Sequence, residues 1–277
     1  MSNFFFRQGV GASAGLWVHE ATRNQPGLRQ FRREGPATPP AAWVEQAVPG
    51  LSEATPIELR DRGHALQPFT MAQTFMRRRS VRTYAPQPLT LDELAAFLRL
   101  SYPAEVSDPD YQPLARPHQD LAAWNGHVTL CRLVLLVQRV EGLTPGAYVY
   151  DERAQTLRLV RADDGQALTA LLEAHCFQAE FRAAPVLALQ IGSLQDAIER
   201  YGERGYRYML IEDGVQVQRM YLSATSLNMA SCVTGSLVQG EIEHWLGLDG
   251  FHASVLNAFA LGHYTQECLA VLHEVTS

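Results

Sequence analysis

Apolar positions fall into blocks whose period changes along the chain, and each change marks an element. The longest helical block begins at Met209. From there Leu210, Val217, Met220, Tyr221, Ala224 and Leu227 recur at helical spacing, with Gly214 in the same band as a small residue that permits close helix approach. The stripe predicts the longest helix of the protein over 209–228, with this face buried. Asn228 ends it, because asparagine tolerates the left-handed conformation of a helix C-terminus better than other non-glycine residues. The polar, aromatic run from Glu199 to Tyr208 leads in, so Tyr201 and Arg204 are carried to one fixed place at its start.

Upstream, Thr90, Leu91, Asp92 and Glu93 read as a capping box, in which Thr90 accepts from the amide of Glu93 and Glu93 reaches back. Leu91, Leu94, Ala95 and Leu98 then put one helical face on a core. The segment from Val128 to Val140 is β-rich and continuously apolar from Leu133 to Val137, the pattern of a strand buried on both faces. Stretches 147–150 and 156–160 read as a hairpin. Asp163 or Asp164 caps a helix through Leu168, Leu171 and Leu172 to His175, stretch 185–191 reads as another buried strand, and beyond the long helix a short helix around 241–246 precedes a strand over 255–261 closed by Gly262. The order predicts an α+β class, a central mixed sheet flanked by helices with one long core helix. Residues 1–70, rich in Pro, Gly, Arg and Gln, read as an N-terminal extension with short helices around 15–22 and 43–47, and residues 71–277 as the domain. Residues 101–120, with Pro103, Pro109, Pro113 and Pro117, predict a long polar loop, a candidate lid or rim.

Composition removes several kinds of chemistry. With 29 acidic and 23 basic residues the net charge is -6, which argues against a general electrostatic grip on nucleic acid. Every basic residue is arginine, so a Schiff-base lysine and a phosphate-loop lysine are both excluded. Cys131, Cys176, Cys232 and Cys268 stand far apart without paired spacing and no histidine spacing suits zinc, so the thiols read as reduced core residues and no metal is expected. No apolar run is long enough for a membrane-spanning helix and no secretory signal pattern opens the chain, so the expected location is the cytoplasm.

Arg78, Arg79, Ser80, Val81 and Arg82 cluster guanidinium groups with a hydroxyl. That set suits a phosphate, since arginine offers forked donors and serine a short one, but spacing alone favours a solvated basic helix end. The stretch Arg78–Tyr84, followed by Pro88–Leu94, resembles the opening of FMN-dependent nitroreductase-fold proteins, whose Arg-x-Ser-x-Arg/Lys pattern holds the flavin phosphate. More specifically, the chain resembles the SagB/McbC-type dehydrogenases, the azoline oxidases of thiazole/oxazole-modified peptide synthetases. Val18–Arg23 is similar to their His-Glu-x-Thr-Lys/Arg segment, and Arg200, Tyr201 and Arg204–Arg207 match their Lys-Tyr-x-x-Arg-Gly-Tyr-Arg signature. The resemblance runs from about residue 18 to Gly262.

This resemblance implies an FMN-dependent dehydrogenase acting on azoline or thiazoline rings of a modified peptide or carrier-bound intermediate. It further implies a homodimer with the flavin at the subunit interface, and cyclodehydratase partners in a biosynthetic complex. Arg78, Ser80 and Arg82 are then expected to hold the FMN phosphate, and Thr234, Gly235 and Ser236 to lie against the flavin's N5 edge. The stretch 122–127 departs from the family's Pro-Ser-Gly-Gly pattern and is closer to the Ala-x-Asn segment of ordinary nitroreductases. Asn125 is therefore a candidate ribityl contact or a turn residue before a strand. Tyr201 takes the place of the base that removes the ring Cα proton while hydride passes to the flavin. A neighbouring cation favours the phenolate of a tyrosine, whose free pKa is about 10, and Arg200 would supply that charge, although arginine does not itself carry the proton away. The plainer reading of Tyr201 is an aromatic at a helix start. Two other functions fit the same residues: a flavin-dependent reductase of a nitro, alkene or dehydroamino acid group, and an FMN-free scaffold or peptide-binding subunit.

Overall fold

The computed structural model describes residues 14–23, 42–59, 66–102, 130–152, 154–163 and 166–276; Asn125, the 122–127 stretch and most of the expected 101–120 loop lie outside them. Among the described residues the strands are β1 (Pro56–Glu58), β2 (Cys131–Val137), β3 (Gly146–Asp151), β4 (Thr156–Ala162), β5 (Val186–Gly192), β6 (Ala230–Thr234) and β7 (Ser254–Gly262). They form one sheet in the order β1-β4-β3-β2-β5-β7-β6, with every ladder antiparallel. The class is α+β, and the sheet within it is antiparallel where a mixed one was expected. The reason lies in β7. It inserts between β5 and β6, which run in the same direction and would otherwise make a parallel pair.

Among the described residues the helices are α1 (Ala14–Ala21), α2 (Ala42–Ala47), α3 (Met71–Arg77), α4 (Leu91–Ser101), α5 (Ala167–His175), α6 (Ala179–Arg182), α7 (Leu194–Tyr201), α8 (Gly205–Ser226), α9 (Gln239–Leu246) and α10 (Gln266–Thr276), with a turn of 3-10 helix at Gly202–Arg204. They cover both sides of the sheet. Every residue of β2 and β5 is buried, as continuous apolar runs require. Alternate side chains divide into two cores. Val134, Leu136, Val149, Leu187 and Leu189 face Leu168 and Leu172 of α5 and Ile242 of α9. Leu133, Leu135, Tyr148 and Phe259 face Leu94 and Leu98 of α4 and Met220, Tyr221 and Ala224 of α8. Each fully buried leucine contributes roughly 1.5–3 kcal/mol relative to exposure. Residues 42–59 of the expected extension are woven into this body: Trp43, Val44, Val48 and Leu51 enter the first core, and β1 pairs with β4.

Local signals act as written. Thr90 Oγ1 accepts from the Glu93 amide at 3.2 Å and Glu93 Oε2 accepts from the Thr90 amide at 2.8 Å, closing the capping box of α4. Gln166 occupies the cap position of α5, while Asp163 reaches forward to the Leu168 amide at 3.1 Å. Asn228 adopts a positive φ of 56° just beyond α8.

The face that α8 buries differs from the expected stripe. In its first half Met209, Glu212 and Gln216 are buried, whereas Leu210 is 42% exposed and Gly214 is exposed. This half lies at the ends of β2 and β7, where polar partners wait. Glu212 accepts the amides of Leu130 and Cys131 at 2.8 and 3.1 Å, and both oxygens of Asp213 accept from Asn257 Nδ2 at 2.7 Å. Buried donors must be satisfied, and that demand outweighs the apolar pattern. The cysteines are free thiols, three of them buried. Among the described residues no helix is long and apolar enough to cross a membrane.

Candidate functional site

Tyr221, on the inner face of α8, brings together two of the candidate phosphate residues, Arg78 and Ser80. Its hydroxyl accepts the Val233 amide of β6 at 2.9 Å and lies 3.1 Å from Ser80 Oγ. The Arg78 guanidinium stacks over the Tyr221 ring at 5.1 Å. The Val81 amide donates to the Ser231 carbonyl at 2.9 Å, so the 78–82 stretch is tied to β6 as well as to α8. Burial pushes the Tyr221 phenol above its ordinary pKa, so it keeps its proton. With one lone pair taken by Val233, Tyr221 can donate that proton to Ser80 Oγ, which leaves the Ser80 proton for a ligand. Ser80 and Arg82 are both exposed. Arg78 and Ser80 therefore stand together at Tyr221, with Arg82 exposed further along the same braced stretch, in reach of an anion in solvent.

Thr234, Gly235 and Ser236 follow directly from Val233. Thr234 Oγ1 accepts the Ser236 amide at 2.9 Å and donates to Gln178 Oε1 at 3.1 Å, while the Ser236 carbonyl accepts the Phe177 amide at 3.0 Å. A Cβ on Gly235 would meet nothing within 4 Å, so the backbone there borders open space. The cradle thus runs from Arg78 across Tyr221 to Gly235.

Tyr201 is elsewhere. It ends α7, and its ring meets that of Tyr208 edge-on with centroids 5.2 Å apart, in a small cluster with Leu130, Cys131, Ala197 and Met209. Tyr208 and Tyr221 are separated by about 20 Å of helix axis, so within one chain Tyr201 and the Ser80 cradle are not brought together. Arg200 precedes Tyr201 on α7.

Each residue of Arg204–Arg207 has its own structural part. Arg204 Nε donates to the Tyr201 carbonyl at 3.1 Å. Gly205 lets α7 approach, since a Cβ there would fall 1.9 Å from the Ala197 carbonyl oxygen. Tyr206 packs against the Tyr201 cluster. Arg207 reaches α1: its Nη2 donates to Thr22 Oγ1 and to the His19 carbonyl, both at 2.9 Å, and its Nε lies 3.3 Å from Thr22 Oγ1.

Several site residues escape a reading of the sequence. Tyr221 reads there as one more core position, yet its hydroxyl joins the cradle. Glu212 and Asp213, with Asn257, form an acid cluster, Glu212 buried and Asp213 partly so, in which burial pushes Glu212 up to about 7, against the pull of the Leu130 and Cys131 amides, and Asp213 up to about 6. The signal available is the spacing Met209, Glu212, Gln216, Met220, an inward stripe that mixes polar with apolar residues.

Comparison with known proteins follows the same lines. Residues 75–263 match the sequence family described as the Nitroreductase family. A Methanocaldococcus jannaschii protein assigned by name to the nitroreductases is 28% identical over 197 residues, 71% of this chain and 91% of its own. Among solved structures, one so described from Anabaena variabilis superposes with a TM-score of 0.68 at 23% identity, over 90% of this chain and 47% of its own, so this chain spans about half the length of that protein. One from Ralstonia eutropha gives 0.57 at 18%, over 79% and 94%. A chain of the E. coli microcin synthetase McbBCD complex with truncated pro-MccB17 bound gives 0.56 at 18%, over 86% and 85%. At these identities the structural likenesses establish the fold.

Proposed function

Since the chain belongs to the nitroreductase family, we propose that it is an FMN-dependent oxidoreductase of the SagB/McbC type, which dehydrogenates azoline or thiazoline rings of a modified peptide or carrier-bound intermediate. The observation that carries this reading is the contact of Thr22 with Arg207. Two stretches that separately resemble that type, 185 residues apart, touch each other. The cradle residues fit the cofactor on two counts: an exposed serine hydroxyl braced so that its proton is free to donate, and open space over Gly235.

In this reading Arg78 and Arg82 hold the FMN phosphate by charge-assisted hydrogen bonds, Ser80 donates to it, and the backbone of 234–236 closes on the ring edge. Asn125 is the proposed ribityl contact. FMN, when bound, supplies the acceptor for an electron pair. Tyr201 takes the ring Cα proton, with Arg200 as its cationic neighbour in sequence. Because one chain keeps Tyr201 away from its own cradle, a homodimer in which each Tyr201 serves the other copy completes the site. Leu210, Ile211 and Val215 on the outer face of α8, each more than a third exposed, support such a contact. Cyclodehydratase partners in the cytoplasm would deliver the azoline peptide.

A second reading keeps the same cradle for a reductase of nitro, alkene or dehydroamino acid groups; the relative named as a nitroreductase favours it. The test is to purify the chain and incubate it with azoline peptides, reading product mass. A yellow protein whose product loses a pair of hydrogens supports the dehydrogenase, and a gain on an unsaturated substrate supports the reductase. A colourless protein that FMN cannot reconstitute overturns both and leaves a scaffold.

A further inference from the structure

The contact between α1 and α8 has a chemistry that points beyond simple attachment. Thr22 is 6% exposed although it follows a surface helix whose Val18 and His19 stand in solvent. Its hydroxyl donates to the Val18 carbonyl at 2.7 Å, closing the last turn of α1, and its oxygen accepts from Arg207. The guanidinium also takes the His19 carbonyl, so a cation caps the negative end of α1 while resting on a threonine lone pair. At its other end Arg207 is the immediate neighbour of Tyr208, whose ring packs edge-on against Tyr201. One rigid turn thus joins Thr22, Arg207, Tyr208 and Tyr201. The turn is held from behind by Gly205 against Ala197 and by Arg204 on the Tyr201 carbonyl.

We propose that Thr22 is a positioning residue: by fixing Arg207 it sets the first turn of α8, and through the Tyr208 ring it sets the orientation of Tyr201. The importance of that orientation rests on the role given to Tyr201 above, but the positioning itself does not. A valine at position 22 keeps the shape and removes both the donor and the acceptor. A serine keeps the hydroxyl.

The test uses the full chain labelled with meta-fluorotyrosine, observed by fluorine NMR, with the Tyr201 resonance assigned from Tyr201→Phe. Thr22→Val is expected to shift or broaden the Tyr201 and Tyr208 resonances and leave that of Tyr84, in the far core, unmoved. Thr22→Ser is expected to restore the parental spectrum. Amide exchange within 14–23 should rise roughly ten- to a hundredfold in the valine variant, the loss of one hydrogen bond to a charged group. Arg207→Gln should reproduce both effects, which guards against a folding defect peculiar to position 22. If exchange in α1 rises while the Tyr201 resonance stays in place, Thr22 merely fastens the extension and the proposal fails. It fails equally if neither changes. Because no signal depends on bound FMN, a protein that never binds flavin would defeat the proposed function and still show whether Thr22 orients Tyr201.

Discussion

The hydroxyl oxygens of Tyr221 and Ser80 lie 3.1 Å apart across 141 residues of chain, and the Tyr221 oxygen at the same time receives the Val233 amide. Tyr221→Phe deletes the joint between three segments while keeping the ring under Arg78. It is expected to cost about 1–2 kcal/mol, the penalty of a half-buried amide left without its acceptor, and to weaken FMN retention several-fold. Urea midpoints and a flavin fluorescence titration measure the two effects. A variant that keeps parental values in both would mean that Tyr221 braces nothing.

If Arg78 and Arg82 hold the FMN phosphate as proposed, Arg78→Ala and Arg82→Ala should each weaken FMN binding by about ten- to a hundredfold, since each would remove a charge-assisted contact to a dianionic phosphate. Ser80→Ala should do less. Retention of flavin through dialysis by both arginine variants would place the phosphate elsewhere.

How much of this is legible in the sequence differs by residue. The strands β2 and β5, the Thr90–Glu93 box and the left-handed Asn228 can be read because their causes are local: a continuous apolar run, a reciprocal pair of side chains, one permissive residue. The Thr70–Gln73 box of α3 has the same cause but a fainter signal, as its helix is short and its flank polar. The first half of α8 departs from its apolar stripe for a tertiary reason. Its inward face answers the amides of Leu130 and Cys131, which no periodicity reveals. Arg78, Ser80 and Arg82 are ambiguous by spacing and are favoured by resemblance. The gathering of Arg78 and Ser80 around Tyr221 depends on contacts between distant segments.

Tyr201→Phe should abolish most turnover, a loss of about a hundred- to ten-thousandfold if the hydroxyl is the general base. Flavin content and fold should persist, because the phenyl ring still packs against Tyr208. Steady-state rates beside a flavin absorbance spectrum decide it, and parental turnover would remove Tyr201 from the chemistry.

Gly205→Ala should be among the most damaging small substitutions in the chain. The added methyl meets the backbone of Ala197 at 1.9 Å, which no rotamer can relieve, so α7 must part from α8. A loss of about 2–4 kcal/mol is expected in denaturant unfolding. Gly214→Ala makes the control: nothing lies within 4 Å of the new methyl, and helix propensity favours it by about 1 kcal/mol.

Glu212 makes stability depend on pH with an unusual sign. Its folded-state pKa is raised to about 7, so between the unfolded value near 4.5 and that figure the folded chain holds a proton the unfolded chain has released. Stability from this group is therefore greatest in mild acid and declines as pH rises through the window, by on the order of 2 kcal/mol. Glu212→Gln keeps an oxygen for the Leu130 and Cys131 amides and should flatten the decline. Unfolding midpoints in buffers on either side of the window compare the two, and identical slopes would clear Glu212 of any part.

The insertion of β7 between β5 and β6 also imposes an order of assembly. While the chain is being made, β6 emerges before its only ladder partner among the described strands, and β7 then supplies that ladder and the one to β5 together. Until residues 254–262 arrive, Val233 and Thr234 belong to a strand without a sheet, and the segments around Tyr221 have nothing firm to converge on. The β5–β7 ladder joins residues far apart in sequence and is entropically slow to close. On the proposed reading, the flavin cradle is thus completed only in the late step that adds β7, and with it β6, to the edge of the sheet.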